Sequence, residues 1–363
     1  MSHRESVVCR AVSGCHVLFF GLFAYLLLVS RKKKKTFTLT IIHQPSIFQT
    51  LGLSNDDPLE LPVVYDFFCG AGGFSEGARQ AGCKVVWACD NDKNSLDTHT
   101  LNHPTTEHIL CELPLPREEW PFPIDGSRFH AHFSPPCQAF STINSTHRSD
   151  GDRDGATALV KWSVDTALAC GATTWSLEQV PSSVVIKVLE DAKTRHPSRV
   201  AYAKVQFSLL GVPQMRKRVI AGTPHLVAYL LRCCDRSKQR PVTSVIPKPR
   251  GDFIRNSANW VSAKRNGVGG RIRYEKARVT DNCHRVSKPS PTILAHRELS
   301  WITVKGEEWW QCWMRPREMA LLQTFPKSYK WPKGTKRGMR QVGNSVPPLV
   351  AKLIMKATTK RVP

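Results

Sequence analysis

Three short apolar runs each deliver a side chain with chemistry to offer. Cys137 lies in Ser134-Pro135-Pro136-Cys137-Gln138-Ala139-Phe140-Ser141, directly after the strand-like Phe129-His130-Ala131-His132-Phe133. A lone cysteine is usually a small buried hydrophobe. Here, two prolines fix φ on the approach to the thiol and withdraw two backbone donors. The result is a stiff loop at a strand end, where ligand sites in parallel sheets lie. Forty-one residues later, Thr173-Thr174-Trp175-Ser176-Leu177 predicts a strand that ends in Glu178-Gln179-Val180-Pro181 and brings a carboxyl group to the same sheet edge. Gly211-Val212-Pro213-Gln214-Met215-Arg216-Lys217-Arg218 then leads into the apolar Val219-Ile220-Ala221. A thiolate is a nucleophile, a carboxyl group holds or gives a proton, and guanidinium groups support developing charge.

The elements that must position these groups begin upstream. Pro62-Val63-Val64-Tyr65-Asp66-Phe67-Phe68 suits a buried parallel strand and runs straight into Cys69-Gly70-Ala71-Gly72-Gly73-Phe74. A helix over 75–81 ends at Gly82. Strand, Gly-rich turn and helix start make a nucleotide cradle, because glycines admit close backbone approach and a helix start offers free N–H groups. The next strand, Lys84-Val85-Val86-Trp87-Ala88-Cys89, ends in Asp90-Asn91-Asp92. Asp90 is well set to accept from ribose hydroxyls, and the same acids also suit the cap of a helix over 93–101.

The chain has 363 residues and a formal charge of +23, which excludes an acidic enzyme that avoids polyanions and points to nucleic acid or anionic lipid. At 41% hydrophobic and 22% charged residues it can bury a core. Twelve cysteines are scattered without any C-x-x-C, so neither a disulfide scaffold nor a zinc ribbon is expected, and a reducing compartment is the simpler reading. Residues 11–30 carry no formal charge and are followed by Arg31-Lys32-Lys33-Lys34-Lys35. They read as a membrane anchor, a cleaved targeting segment, or a segment with no role. Residues 36–60 read as a polar linker, and the folded domain is expected from about residue 61.

The motifs in order, from Asp66-Phe67-Phe68-Cys69-Gly70-Ala71-Gly72-Gly73-Phe74 through Pro136-Cys137-Gln138 and Glu178 to Gln341-Val342-Gly343-Asn344-Ser345-Val346, resemble the cytosine-C5 DNA methyltransferase family over roughly residues 61–358. The resemblance implies an α/β, Rossmann-like S-adenosylmethionine-dependent fold, with a mostly parallel mixed sheet, helices on both faces and a small target-recognition region. It implies parts at 61–224 (catalytic and cofactor-binding), 225–290 (target recognition) and 291–363 (completing the catalytic domain). Carried over residue by residue, Cys137 attacks C6 of cytosine, Glu178 faces N3, and Arg216 and Arg218 hold the pyrimidine carbonyl and support charge. S-adenosylmethionine is implied as methyl donor, and the implied reaction needs no metal. Its pocket would be lined by Phe68, Gly70, Gly72 and Gly73, its ribose bound by Asp90 beside Asn91, and its methionine side closed by Pro135, Asn344 and Val346. The implied partner is double-stranded DNA, the expected form a monomer, and the expected location intracellular, in a nucleus, nucleoid or organelle, with or without a membrane tether.

Three departures stand out. Gln179 replaces the family's usual Asn, one methylene shorter, so loop bracing is expected to change. Asn91 replaces a common aromatic. The acid for the adenine amine should fall near Cys111-Glu112-Leu113, where Glu112 is the candidate. Between residues 225 and 290, 15 Lys and Arg face 4 acids, a net +11 where the family reads its target. A transfer-RNA methyltransferase of the same fold is the runner-up, although the Cys-Phe-Thr of that branch is absent and Ala139-Phe140-Ser141 stands where Pro-Phe-Thr is typical. A membrane-tethered binder that has lost catalysis is the reading from another class.

Overall fold

The apolar run at 62–68 forms β1 (Val63–Phe67), an interior strand of the larger of two sheets in the computed structural model. The residues described are 61–137, 140, 150–256, 266–268, 271–275, 283–295, 299–305 and 308–358, all within the unit Leu59–Pro363. The segment 11–30, the basic run Arg31 to Lys35, the linker 36–60, Gln138, Ala139, Ser141 and most of the basic and aromatic stretch around Trp260 and Lys264 lie outside them. Among the described residues no helix is long and apolar enough to cross a membrane.

After β1 come α1 (Gly73–Gln80), β2 (Val85–Asp90), α2 (Lys93–Asn102), β3 (Glu107–Leu110) and β4 (Phe129–Phe133). Asp92 caps α2 by accepting from Asn94 N–H, so that acid serves the helix while Asp90 stays at the strand end. The chain continues through α3 (Asp150–Ala169), β5 (Thr174–Gln179), α4 (Ser183–Arg195), β6 (Ala201–Gln206), β7 (Lys217–Gly222) and α5 (Pro224–Cys233). Spatial order is β3-β2-β1-β4-β5-β7-β6, parallel except for β7, which runs antiparallel to both neighbours. The mixed, mostly parallel sheet matches the expected fold class. Glu178 and Gln179 are the last two residues of β5.

A second, wholly antiparallel sheet takes β8 (Phe253–Asn256), β9 (Asn266–Val268), β10 (Arg271–Glu275), β11 (Cys283–Arg285), β12 (Leu299–Lys305) and β13 (Glu308–Trp313) in the order β11-β8-β12-β13-β10-β9. Two of its strands, β12 and β13, thus fall beyond residue 290. Ile254, Leu299 and Trp301 pack with Met319 and Leu322 of α6 (Pro316–Leu322). Arg250 grips Glu318 bidentately at 3.0 and 2.8 Å.

The chain returns through α7 (Thr335–Asn344) and α8 (Pro348–Thr358). Helix α8 lies on α1, sharing one core cluster with Val64 of β1. Gly77 makes that approach attainable, because a Cβ there would stand 2.2 Å from the Pro348 carbonyl oxygen and 2.4 Å from the Ala351 Cβ. Gly77→Ala should therefore force α1 and α8 apart and cost about 1–3 kcal/mol, despite the better helix propensity of alanine. A chemical-denaturation midpoint equal to the parent's would contradict that packing account.

Candidate active site

β1, β2, β4 and β5 all end at one edge, and a cavity of about 550 Å³ opens there. Its wall joins Cys137, Glu178 and Arg216 to Phe68, Gly70, Asp90, Asn91, Pro135, Asn344 and Val346. Ten of the residues expected from sequence thus share one space, although the carboxy-terminal pair comes from the far end of the chain. Arg218, Gly72, Gly73 and Glu112 are not part of the wall.

The turn after β1 is shaped for a ligand. Phe68 holds φ +58°, a left-handed conformation that non-glycine residues rarely adopt and that clusters at ligand sites. Gly70 follows at φ +55°, and a Cβ on it would meet nothing within 4 Å, so the space beside its backbone is open to a bound molecule. Its N–H donates to Asp90 Oδ2 at 2.8 Å, while Asp90 Oδ1 accepts from Asp92 N–H at 2.8 Å. Gly72 and Gly73 serve packing. A Cβ on Gly72 would stand 2.6 Å from the Tyr329 hydroxyl, and one on Gly73 would stand 2.2 Å from the Val346 carbonyl oxygen. Glu112 is exposed, outside the cavity wall, which leaves the expected contact to an adenine amine without support.

At the reacting end, Cys137 is half-buried. Glu178 is almost fully buried between two guanidinium groups: Arg218 Nε at 3.1 Å and Arg216 Nη2 at 4.0 Å from Oε1. The Arg218 approach is close but off-angle, a charge contact rather than a hydrogen bond. Arg216 donates through Nη1 to the carbonyls of Ile293 and Gly343 at 3.1 and 3.2 Å, and through Nη2 to that of Ser345 at 3.5 Å. Gln179 settles one departure geometrically: its Nε2 donates to the Pro135 carbonyl at 2.9 Å and its Oε1 accepts from Val180 N–H at 2.7 Å. The longer amide still braces the proline loop that carries Cys137.

Sequence reasoning passed over a polar file inside the sheet. Ser134 Oγ, His132, Ser176 Oγ, His130 and Thr174 Oγ1 follow one another at 2.7 to 2.9 Å, linking the nucleophile's strand β4 to the acid's strand β5. His132 also stacks on Phe74 at 3.4 Å. Two histidines alternating within a strand whose other residues are apolar were the available signal. Burial pushes His130 down to about 3 and His132 well below its usual range. Both rings fold neutral, so protonation favours the unfolded chain. Their stability contribution is complete above the unfolded value of about 6.5 and is lost as pH falls from there toward about 3. Stability measured by urea unfolding should therefore decline through that window, with His130 alone approaching about 1.4 kcal/mol per pH unit. His130→Gln should flatten part of the slope; an unchanged slope would refute the assignment.

Comparison with known proteins agrees with the geometry. The model of C-5 cytosine-specific DNA methylases matches residues 63–161 and 255–360. The chain is 28% identical over 303 residues to the type II methyltransferase M.HgiDI of Herpetosiphon aurantiacus, covering 78% of this chain and 89% of that protein. It is 25% identical over 320 residues to M.HindV of Haemophilus influenzae, covering 80% and 94%. The solved structure of the S. pombe Dnmt2 methyltransferase shares the fold with a TM-score of 0.54 at 15% identity, covering 82% of this chain and 98% of that one. The chain belongs to the C-5 cytosine-specific DNA methylase family, and it is a DNA cytosine-5 methyltransferase. Membership implies S-adenosylmethionine as methyl donor, and the open space at Gly70 beside two wall acids, Asp66 and Asp90, fits a cationic nucleoside. Among the described residues no cluster of His, Cys, Asp or Glu could hold a metal ion.

Proposed function

We propose that this enzyme methylates a cytosine flipped out of duplex DNA through a covalent bond between Cys137 Sγ and C6 of the base. One observation carries the reading: Cys137, Glu178 and Arg216 face the same cavity as the turn at Gly70 and Asn344. Cytosine C5 is a poor nucleophile, and C6 within a stacked duplex is hidden, so the base must leave the helix before a thiolate can reach it. Addition at C6 makes C5 electron-rich. Glu178 faces N3 and handles the proton there as the ring gains charge, while Arg216 and Arg218 hold the carboxyl group in place and offset negative charge. Bound S-adenosylmethionine supplies the methyl group. Loss of the C5 proton then expels the thiolate and restores the ring.

On the donor side, Phe68, Gly70, Asp90, Asn91, Pro135, Asn344 and Val346 form the wall the donor would occupy. Gly72 and Gly73 support it from behind. Residues 225–290 are the proposed target-recognition region, whose net +11 suits phosphate contact. DNA rather than transfer RNA is favoured by the family match and by Ala139-Phe140-Ser141 after the loop. Tritium transfer from labelled donor to duplex DNA, with transfer RNA as the parallel substrate, tests this. Incorporation into DNA alone is expected. Incorporation into transfer RNA alone would overturn the choice of substrate, and incorporation into neither would support a binder without catalysis.

A further inference from the structure

One acid of the cavity wall serves neither the mechanism nor a helix cap. Asp66, on β1, is fully buried and lines the cavity. Its Oδ2 accepts from the Ser75 hydroxyl at 2.6 Å, whereas its Oδ1 takes no hydrogen bond from any described residue. A buried carboxylate oxygen without a donor is costly until a proton or a cation completes it.

Behind Asp66 runs a chain to the surface. Ser75 Oγ lies 2.9 Å from His99 Nε2, and His99 Nδ1 lies 2.8 Å from Nε2 of the half-buried His108 on edge strand β3. With Asp66 ionised, the Ser75 hydroxyl donates to it, His99 donates to Ser75 through Nε2, and His108 donates to His99 Nδ1. With Asp66 protonated, the same contacts run in reverse. A proton can therefore pass between the cavity wall and His108 by shifts along existing hydrogen bonds. The groups facing Asp66 are Asp90 and Cys69 at the cavity, His132 in register on β4, His99 behind Ser75, and Tyr329, beyond which stands the Glu76–Arg79 ion pair. Burial first, and then Asp90, push Asp66 up to about 7, against the opposing pull of Ser75.

We propose that Asp66 is the counter-charge for the positive methyl donor, and that donor binding expels its proton through Ser75, His99 and His108. The inference rests on S-adenosylmethionine being the donor. Its sulfonium and ammonium outweigh its carboxylate by one charge, whereas the thioether product S-adenosylhomocysteine is neutral overall. An ionised Asp66 therefore holds the donor more tightly than the product, and reprotonation helps the product leave.

Calorimetric titration at about pH 6 in two buffers of different ionisation enthalpy counts the protons exchanged. Close to one proton released with S-adenosylmethionine and none with S-adenosylhomocysteine is the expected result. Below about pH 7, affinity for the donor should fall by up to about tenfold per unit, while that for the product stays level. Asp66→Asn should remove both the release and the preference for the donor; the proton count on the unaltered protein stands whether or not that variant folds. Donor binding without proton release, or a folded Asp66→Asn that keeps the preference, overturns the proposal. If the unaltered protein binds neither ligand, the donor assignment itself has failed, and this inference falls with it.

Discussion

Cys137→Ser should lower methyl transfer by at least about 10³-fold while leaving donor affinity near the parent value. A thiol reaches its nucleophilic anion near neutral pH, whereas a serine hydroxyl needs a strong base beside it. Neither the acid at the reacting end nor the histidines of the sheet is suited to be that base. Glu178 is held between Arg216 and Arg218, and the nearby histidines His130 and His132 are committed to the file of hydroxyls beneath the sheet edge. The side chains differ little in size, and Gln179 still braces Pro135, so the loop should keep its shape. Two measurements check this: single-turnover rates of methyl transfer, and trapping on DNA with 5-fluorocytosine at the target. Fluorine cannot leave C5 as a proton does, so the parent should form a denaturant-stable adduct and the variant none. A variant with more than about a tenth of the parent rate would sink covalent attack by this residue.

The parts of this site legible in the sequence are those whose chemistry is written locally. Gly70 after an apolar run, Asp90 at the end of the next, and Cys137 behind two prolines each need only a dozen neighbouring residues to declare a strand, a turn and an edge. Gln179 was legible as a departure but not in its outcome, because whether one added methylene breaks a brace depends on where the Pro135 carbonyl lies. The second sheet was harder to foresee. β12 pairs with β8, more than 40 residues earlier, across residues whose composition reads as a charged loop, and no local pattern announces that pairing. Gly72 and Gly73 show the converse. Their place in the motif suggested contact with the donor, whereas the residues that demand their smallness, Tyr329 and Val346, stand more than 250 positions away. The charge that marks the chain as a partner of polyanions is likewise a property of composition, and its address on the surface is a property of the fold.

Arg216 illustrates the same limit with the largest consequence for stability. The motif offers it as a group that touches the base, yet the folded chain also uses it as a hub. Its side chain is among the largest fully buried ones, and it joins the start of β7 to Ile293, to Gly343 and Ser345 at the end of α7, and to Glu178 on β5. Burial and the adjacent Arg218 push its pKa down to about 9, against the opposing pull of Glu178, so the guanidinium is still charged at neutral pH. Removing a buried charge strands the partners that remain. Arg216→Met, close in length but unable to donate, should therefore cost about 3–5 kcal/mol, because three carbonyls lose a donor and Glu178 loses one of its two cations. Arg216→Lys should recover only part of that loss, since a single ammonium cannot reproduce a planar fork reaching three carbonyls in different segments. Urea unfolding with the slope held constant separates this from a purely chemical role. A variant that loses methyl transfer but less than about 1 kcal/mol of stability would show that the residue serves the base alone and that the carboxy-terminal segment is held to the sheet by other contacts.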